Sequence, residues 1–113
     1  MIKVNVQRSS DGVITGFKVS GHAGFAEYGE DIVCSAVSAI VLTAVGYAES
    51  VYNPKDEKAK RCFTEESGEV NWHCPKGLSG ETQKIVNTVF DAMVYGLKQI
   101  CENYGNKYLV VID

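Results

Sequence analysis

The sequence predicts an α+β fold in which a mostly antiparallel sheet carries helices on its faces. Three observations predict it. Apolar and polar residues alternate in short runs that come in pairs, each pair joined by turn chemistry. Two much longer segments repeat apolar residues at spacings of three and four, the helical period. The order along the chain is ββα-ββα-β, with no linker or low-complexity stretch to divide it.

The first run alternates Ile2, Val4 and Val6 against Lys3, Asn5 and Gln7, as a half-buried strand does. Ser9-Ser10-Asp11-Gly12 turns the chain, since Asp-Gly accepts positive φ. A second strand over residues 13–20 puts Val13, Phe17 and Val19 on one face and ends at Gly21-His22. Residues 23–30 have no sustained period and contain Gly24 and Gly29, so they read as a loop. A helix over residues 31–50 follows, with Val33, Val37, Ile40, Val41, Ala44, Val45 and Ala48 as its stripe. Ala36 and Leu42 widen that stripe around most of the girth, so a buried helix is expected, held between the sheet and a further layer. Asn53-Pro54 ends it.

Two strand-like runs, 58–64 and 69–74, flank Glu65-Glu66-Ser67-Gly68 and predict a second hairpin. Ser79 suits the N-cap of a second helix. Its seam is Val86, Phe90, Met93, Leu97, Ile100 and Tyr104, opposed by Lys84, Asn87, Asp91, Lys98 and Glu102. Gly105 stops it. The last strand, 108–112, is continuously apolar and is expected in the middle of the sheet.

A chain of 113 residues suits one domain spanning 1–113, burying about two-thirds of its unfolded surface without disulfide or metal. Apolar content of 45% with 22% charged residues is ordinary for a soluble protein. A net charge of −3 argues against nucleic acid as a partner, because phosphate affinity needs clustered Lys and Arg. The one basic cluster, Lys58, Lys60 and Arg61, is short and followed by Glu65 and Glu66; it reads as a solvated strand face. No leading apolar stretch resembles a signal peptide. The segment near Ile32 to Ala48 carries Ser35, Ser38, Thr43 and Gly46 and reads as too short and too polar to span a bilayer. A cytoplasmic address without a membrane partner is expected, and there the 4 cysteines are expected as thiols.

Chemistry concentrates between Gly21 and Ile40. His22 closes a strand, a glycine-containing loop follows, and Cys34 falls in the first turn of the first helix. Free amides and the helix dipole favour negative charge at such a position. With an imidazole in reach, a thiol there is expected to fall from about 8.5 toward roughly 3.5–7.5 in pKa. A thiolate beside an imidazolium is a nucleophile with its general acid attached. The plainer alternative is a small buried cysteine and an ordinary strand-end histidine. Asp31 has two candidate roles, capping the helix or orienting His22 as a third group. Glu27 and Glu30 are alternative orienters. Ala23, Gly24, Phe25, Ala26, Glu27, Tyr28, Gly29 and Glu30 form a candidate substrate lid. Cys62, His73 and Cys74 do not make a metal site, since adjacent strand residues point to opposite faces. No metal and no cofactor are expected. Cys101 reads as core.

Gly-His-Ala, a short glycine-containing loop and Gly-Glu-Asp-Ile-Val-Cys-Ser-Ala-Val-Ser together resemble the signature of the ribosomal-processing cysteine proteases, the Prp family. Length and element order are similar over the whole chain. The resemblance implies a homodimer of α+β fold that removes the N-terminal extension of a large-subunit ribosomal protein. It implies Cys34 as nucleophile, His22 as base, and a cut after an aromatic residue in a short hydrophobic sequence. Ser35 stands where Ala or Gly also occurs in that family, and the loop varies, so its substrate contacts do not carry over. The oxyanion is expected on amides at the first helix start, including that of Cys34. Two rival classes are a non-enzymatic ribosome-assembly module with an inert Cys34 and another thiol enzyme, such as an acyl transferase or deamidase.

Overall fold

Alternating Ile and Val side chains build the first hairpin. In the computed structural model, which describes every residue except Tyr28 and Ser67, β1 (Ile2–Arg8) and β2 (Ile14–Ser20) pair antiparallel, with Val4 opposite Val19 and Val6 opposite Phe17. The register shifts between Gln7 and Arg8. Such a bulge reverses the facing of residues beyond it, so Ile14 is buried in the core in place of the expected Val13. Arg8 then clasps two carboxylates, Asp113 at 2.7 Å and Asp91 at 2.9 Å.

The second hairpin is shorter than its sequence predicts. β3 (Phe63–Glu66) pairs with β4 (Glu69–His73), but Lys58–Lys60 is a single 3₁₀ turn. The buried Asn53 side chain turns the chain just before it, donating to the Glu57 carbonyl at 3.0 Å and accepting the Glu57 amide at 3.2 Å, and exposed ion pairs join Lys60 to Glu57 and Arg61 to Asp56. The strand order is β3-β4-β2-β1-β5. β5 (Leu109–Ile112) runs parallel to β1 at the edge, not in the middle. Its apolar run reflects cover by the second helix over Leu109 rather than strands on both sides.

α1 (Ile32–Tyr52) and α2 (Gly80–Tyr104) pack against each other. α2 begins at Ser79, whose hydroxyl accepts the Thr82 amide at 3.2 Å, and stops at Gly105. Its seam buries Val86, Phe90, Met93, Val94, Leu97 and Ile100. Phe90 meets Phe17 and Trp72 of the sheet with ring centroids 5.1 and 4.2 Å away. Each aromatic pair contributes about 0.5–1.5 kcal/mol beyond its buried area.

α1 buries Val33, Val37, Val41, Ala44, Val45 and Ala48, but its other side is open: Ile32, Leu42 and Tyr47 are exposed. The second cover expected from its sequence does not come from the described residues. At 21 residues with a mean hydropathy of 1.8 over its most apolar window, α1 has the length and apolarity of a membrane span. That corrects the reading of this segment as too short and too polar to span a bilayer, by length and composition only, since a helix with a buried core stripe meets the same measure. Toward that end Glu49 is buried without a hydrogen-bond partner among the described residues. Next to it the Trp72 indole donates to Tyr52 Oη at 2.9 Å.

Candidate active site

Two glycines and one carboxylate position the candidate residues. Gly21 follows β2 with φ +88°, and a Cβ there would lie 2.4 Å from the Met1 carbonyl oxygen. Only glycine fits that approach. The Gly21 amide donates to the Gly68 carbonyl at 2.9 Å, fastening the β2 end to the β3–β4 turn. His22 therefore leaves the sheet at a set point, exposed at the edge of a cleft. On the far side of the loop, Asp31 caps α1: its Oδ1 accepts the Cys34 amide at 3.0 Å.

The other oxygen of Asp31 accepts the Phe25 amide at 3.0 Å. One buried carboxylate thus ties the loop to the helix start, and both of its oxygens face amides rather than His22. Burial pushes this carboxyl up, but hydrogen bonds from the Cys34, Phe25 and Ala26 amides outweigh it and hold the group below the usual carboxylate range. The Cys34 amide is consequently engaged by the cap, not open for an oxyanion. A different amide addresses the sulfur: Ala23 N–H donates to Cys34 Sγ at 3.2 Å.

His22 and Cys34 line one cleft of about 890 Å³ between the sheet and the first half of α1. That is the size of a small-ligand or short-peptide site. Val19 and Val70 from the sheet and Val37, Val41 and Leu42 from α1 make it apolar, while Glu65, Glu66 and Glu69 rim one side. Of the candidate lid, Gly24, Ala26 and Gly29 line this cleft. Phe25 turns away and packs edge-on against Tyr104 and Tyr108, with centroids 5.6 and 5.1 Å apart. Glu27 and Glu30 are exposed, joined by the Glu30 amide to the Glu27 carbonyl at 2.9 Å; Tyr28 lies outside the described residues.

Two contributors escaped the sequence reading, the Ala23 amide and Gly68. Backbone amides have no sequence signature, and Gly68 signalled only a turn. Cys62 is buried, with its thiol pushed up by burial and then by Glu49 and Cys74, and Cys101 donates to the Leu109 carbonyl at 3.1 Å; both lie apart from the cleft lining.

A thiol at a helix start and an imidazole on the same peptide-sized cleft are the equipment of a cysteine protease. Residues 1–109 match the family described as cysteine protease Prp. The chain belongs to the Prp family of ribosomal-processing cysteine proteases. It is 31% identical over 113 residues to the ribosomal processing cysteine protease Prp of Bacillus subtilis, covering all of this chain and 98% of that one. It is 28% identical over 105 residues to the Staphylococcus aureus protein of the same name, covering 93% and 92% of the two chains. The fold matches the S. aureus Prp crystal structure with a covalently linked product peptide at TM-score 0.74, with 22% identity and 99% and 98% coverage. The same protease with a substrate peptide gives 0.72 at 22% identity, covering 98% and 97%. The chain is an enzyme, a cysteine protease.

Proposed function

We propose that this protease removes the N-terminal extension of a large-subunit ribosomal protein, using a Cys34–His22 dyad, and cuts after an aromatic residue in a short hydrophobic sequence. The observation that carries the reading is the single cleft that Cys34 and His22 share, with its floor of Val19, Val37, Val41 and Val70. An extended apolar segment gains by leaving water for such a floor. The acidic rim of Glu65, Glu66 and Glu69 favours basic residues beside that segment.

In this reading Cys34 Sγ attacks the scissile carbonyl and forms a thioester as the C–N bond breaks. His22 gives its proton to the leaving amine, then accepts one from the water that hydrolyses the thioester. Asp31 does not orient the base; it caps α1 and holds the loop. The rival of a non-enzymatic assembly module loses its ground to family membership. The same proposal includes a homodimer, supported by the open apolar side of α1 at Ile32, Leu42 and Tyr47, and a cytoplasmic address, supported by four free thiols.

The test is mass spectrometry of a ribosomal protein with its extension, before and after incubation with the enzyme. One internal cut behind an aromatic residue is expected, with none from Cys34→Ala. A transferred acyl group or a deamidated side chain in place of a cut would reject it.

A further inference from the structure

Glu66, Gly68 and Glu69 of the β3–β4 hairpin line the cleft, and Gly68 stands close to His22. Gly68 has φ +74°, and a Cβ built on it would sit 3.1 Å from His22 Nε2 and 3.5 Å from Cε1. The space in front of the Gly68 Cα is therefore taken up by the imidazole, and only a residue without a Cβ leaves it free. The Gly68 carbonyl accepts the amide of Gly21, the residue immediately before His22, at 2.9 Å. Ser20, one position earlier, pairs with Glu69 in the β2–β4 ladder. Gly68 and Glu69 thus hold the backbone leading into His22, and Gly68 stands beside the Nε2 end of the ring. Asp31, the carboxylate a triad would use, is engaged by amides of Cys34 and Phe25, and among the described residues the imidazole has no hydrogen-bond partner.

We propose that Gly68 is a positioning residue for His22, and that the β3–β4 turn takes the place of a third hydrogen-bonding group by holding the imidazole through backbone contact. The inference rests on His22 being the base. A methyl at 68 would crowd the ring, approaching to 3.1 Å of a ring nitrogen, so the imidazole would have to shift by a few tenths of an ångström. Misplacement of a catalytic group by about 1 Å costs on the order of a hundredfold in rate, so a shift of a few tenths of an ångström is expected to cost roughly threefold to tenfold.

The molecule supplies its own controls. Gly12 and Gly77 also have positive φ, +86° and +77°, but a Cβ on either meets nothing within 4 Å. Gly12→Ala and Gly77→Ala carry the same backbone strain without touching His22. The experiment compares these with Gly68→Ala and His22→Ala in two readouts: kcat and KM on a peptide substrate, and the pH profile of Cys34 alkylation by iodoacetamide. Gly68→Ala is expected to lose roughly threefold to tenfold in kcat with little change in KM, and to shift its alkylation profile toward that of His22→Ala. The two control variants are expected to keep the wild-type profile. A wild-type profile in Gly68→Ala, while His22→Ala moves it, overturns the positioning role alone. An unmoved profile in His22→Ala overturns the dyad and the positioning role with it. A further check needs no variant: wild-type protein should give an NOE between a Gly68 Hα and His22 Hε1. Its absence overturns the contact even where Gly68→Ala fails to fold.

Discussion

The amide of Ala23 donates to the sulfur of Cys34 across 3.2 Å. A hydrogen bond of this kind favours the charged acceptor over the neutral one. When the sulfur attacks a carbonyl, negative charge moves to the adjacent oxygen, and a donor already aimed at the reacting atom is in place to follow it. The Cys34 amide is held by Asp31 Oδ1, which leaves Ala23 as the donor at the sulfur. Replacing residue 23 by lactic acid keeps the methyl and exchanges the N–H for an ester oxygen. We expect slower alkylation of Cys34 at slightly acidic pH and a loss of about a hundredfold in kcat, the magnitude seen for single oxyanion donors. Unchanged kinetics in the ester would reduce this contact to packing.

Cys34→Ala and Cys34→Ser should both abolish cleavage and keep wild-type circular dichroism, since the α1 cap uses the backbone amide of residue 34 and not its side chain. His22→Ala should lose about 10²–10⁴ in rate and also keep its fold, as His22 is exposed. Cleavage of a fluorogenic peptide reads both. Residual wild-type rate in either variant would remove that residue from the dyad.

Asp31 links the loop to the helix, so its substitution should act on both. Asp31→Ala is expected to cost about 1–2 kcal/mol as a lost N-cap, and to speed hydrogen exchange at Phe25. The pH dependence follows from the direction of the shift. The folded carboxyl lies below its ordinary value, so the unfolded chain takes up the proton first as pH falls. The contribution is complete above the ordinary carboxylate value of about 3.9 and is lost as pH drops through the lower folded value. Asp31→Asn should flatten that acid limb in urea melts, and an unaltered limb would assign it to other carboxylates.

The positions of the two candidate site residues were legible because their neighbours announce element ends. Gly21 marks where β2 stops and Asp31 marks where α1 starts, so the placement of His22 and Cys34 follows from local chemistry. Gly68 was not legible in that role. It meets His22 only because β4 pairs with β2, and a turn glycine looks the same whatever lies across from it. The edge position of β5 was hidden for a related reason. Periodicity reports which faces are covered, and α2 covers Leu109 as well as a neighbouring strand would. The β1–β2 bulge hid Ile14 likewise, since one extra residue reverses the facing and leaves the composition unchanged.

Away from the cleft, Tyr52 should report on stability alone. Its oxygen accepts the indole N–H of Trp72, a residue 3% exposed. Tyr52→Phe leaves that buried donor unpaired, which costs about 1–3 kcal/mol, with kcat unaffected. Burial first, then Glu49, raises the Tyr52 phenol well above its ordinary value. The unfolded chain therefore releases this proton first, and stability falls as pH rises past about 10. Denaturant melts of Tyr52→Phe should show a lower midpoint and a shallower alkaline decline. An equally steep decline would place its origin elsewhere.

The residues between His22 and Asp31 are expected to divide into a fixed point and two hinges. Phe25 is anchored twice, by its amide on Asp31 and by its ring against Tyr104 and Tyr108. Gly24, Ala26 and Gly29 face the cleft instead, and Gly24 and Gly29 sit at φ +69° and +88° with open space around them. A closing segment needs hinges that absorb large φ/ψ changes and a fixed point to move about. Gly24 and Gly29 suit the first need and Phe25 the second. In the free protein the Phe25 amide should exchange slowly and that of Gly24 fast. Binding of an uncleavable peptide to Cys34→Ala should slow Gly24 and Gly29 while Phe25 stays as it was. Gly29→Ala, which stiffens the hinge and meets nothing within 4 Å, should then depress cleavage of a protein substrate more than alkylation of Cys34 by a small reagent, because only the larger ligand requires closure. Uniform slow exchange across 23–30 without peptide would make the segment a fixed wall of the cleft, and equal losses in both assays would point to damage at Cys34 itself.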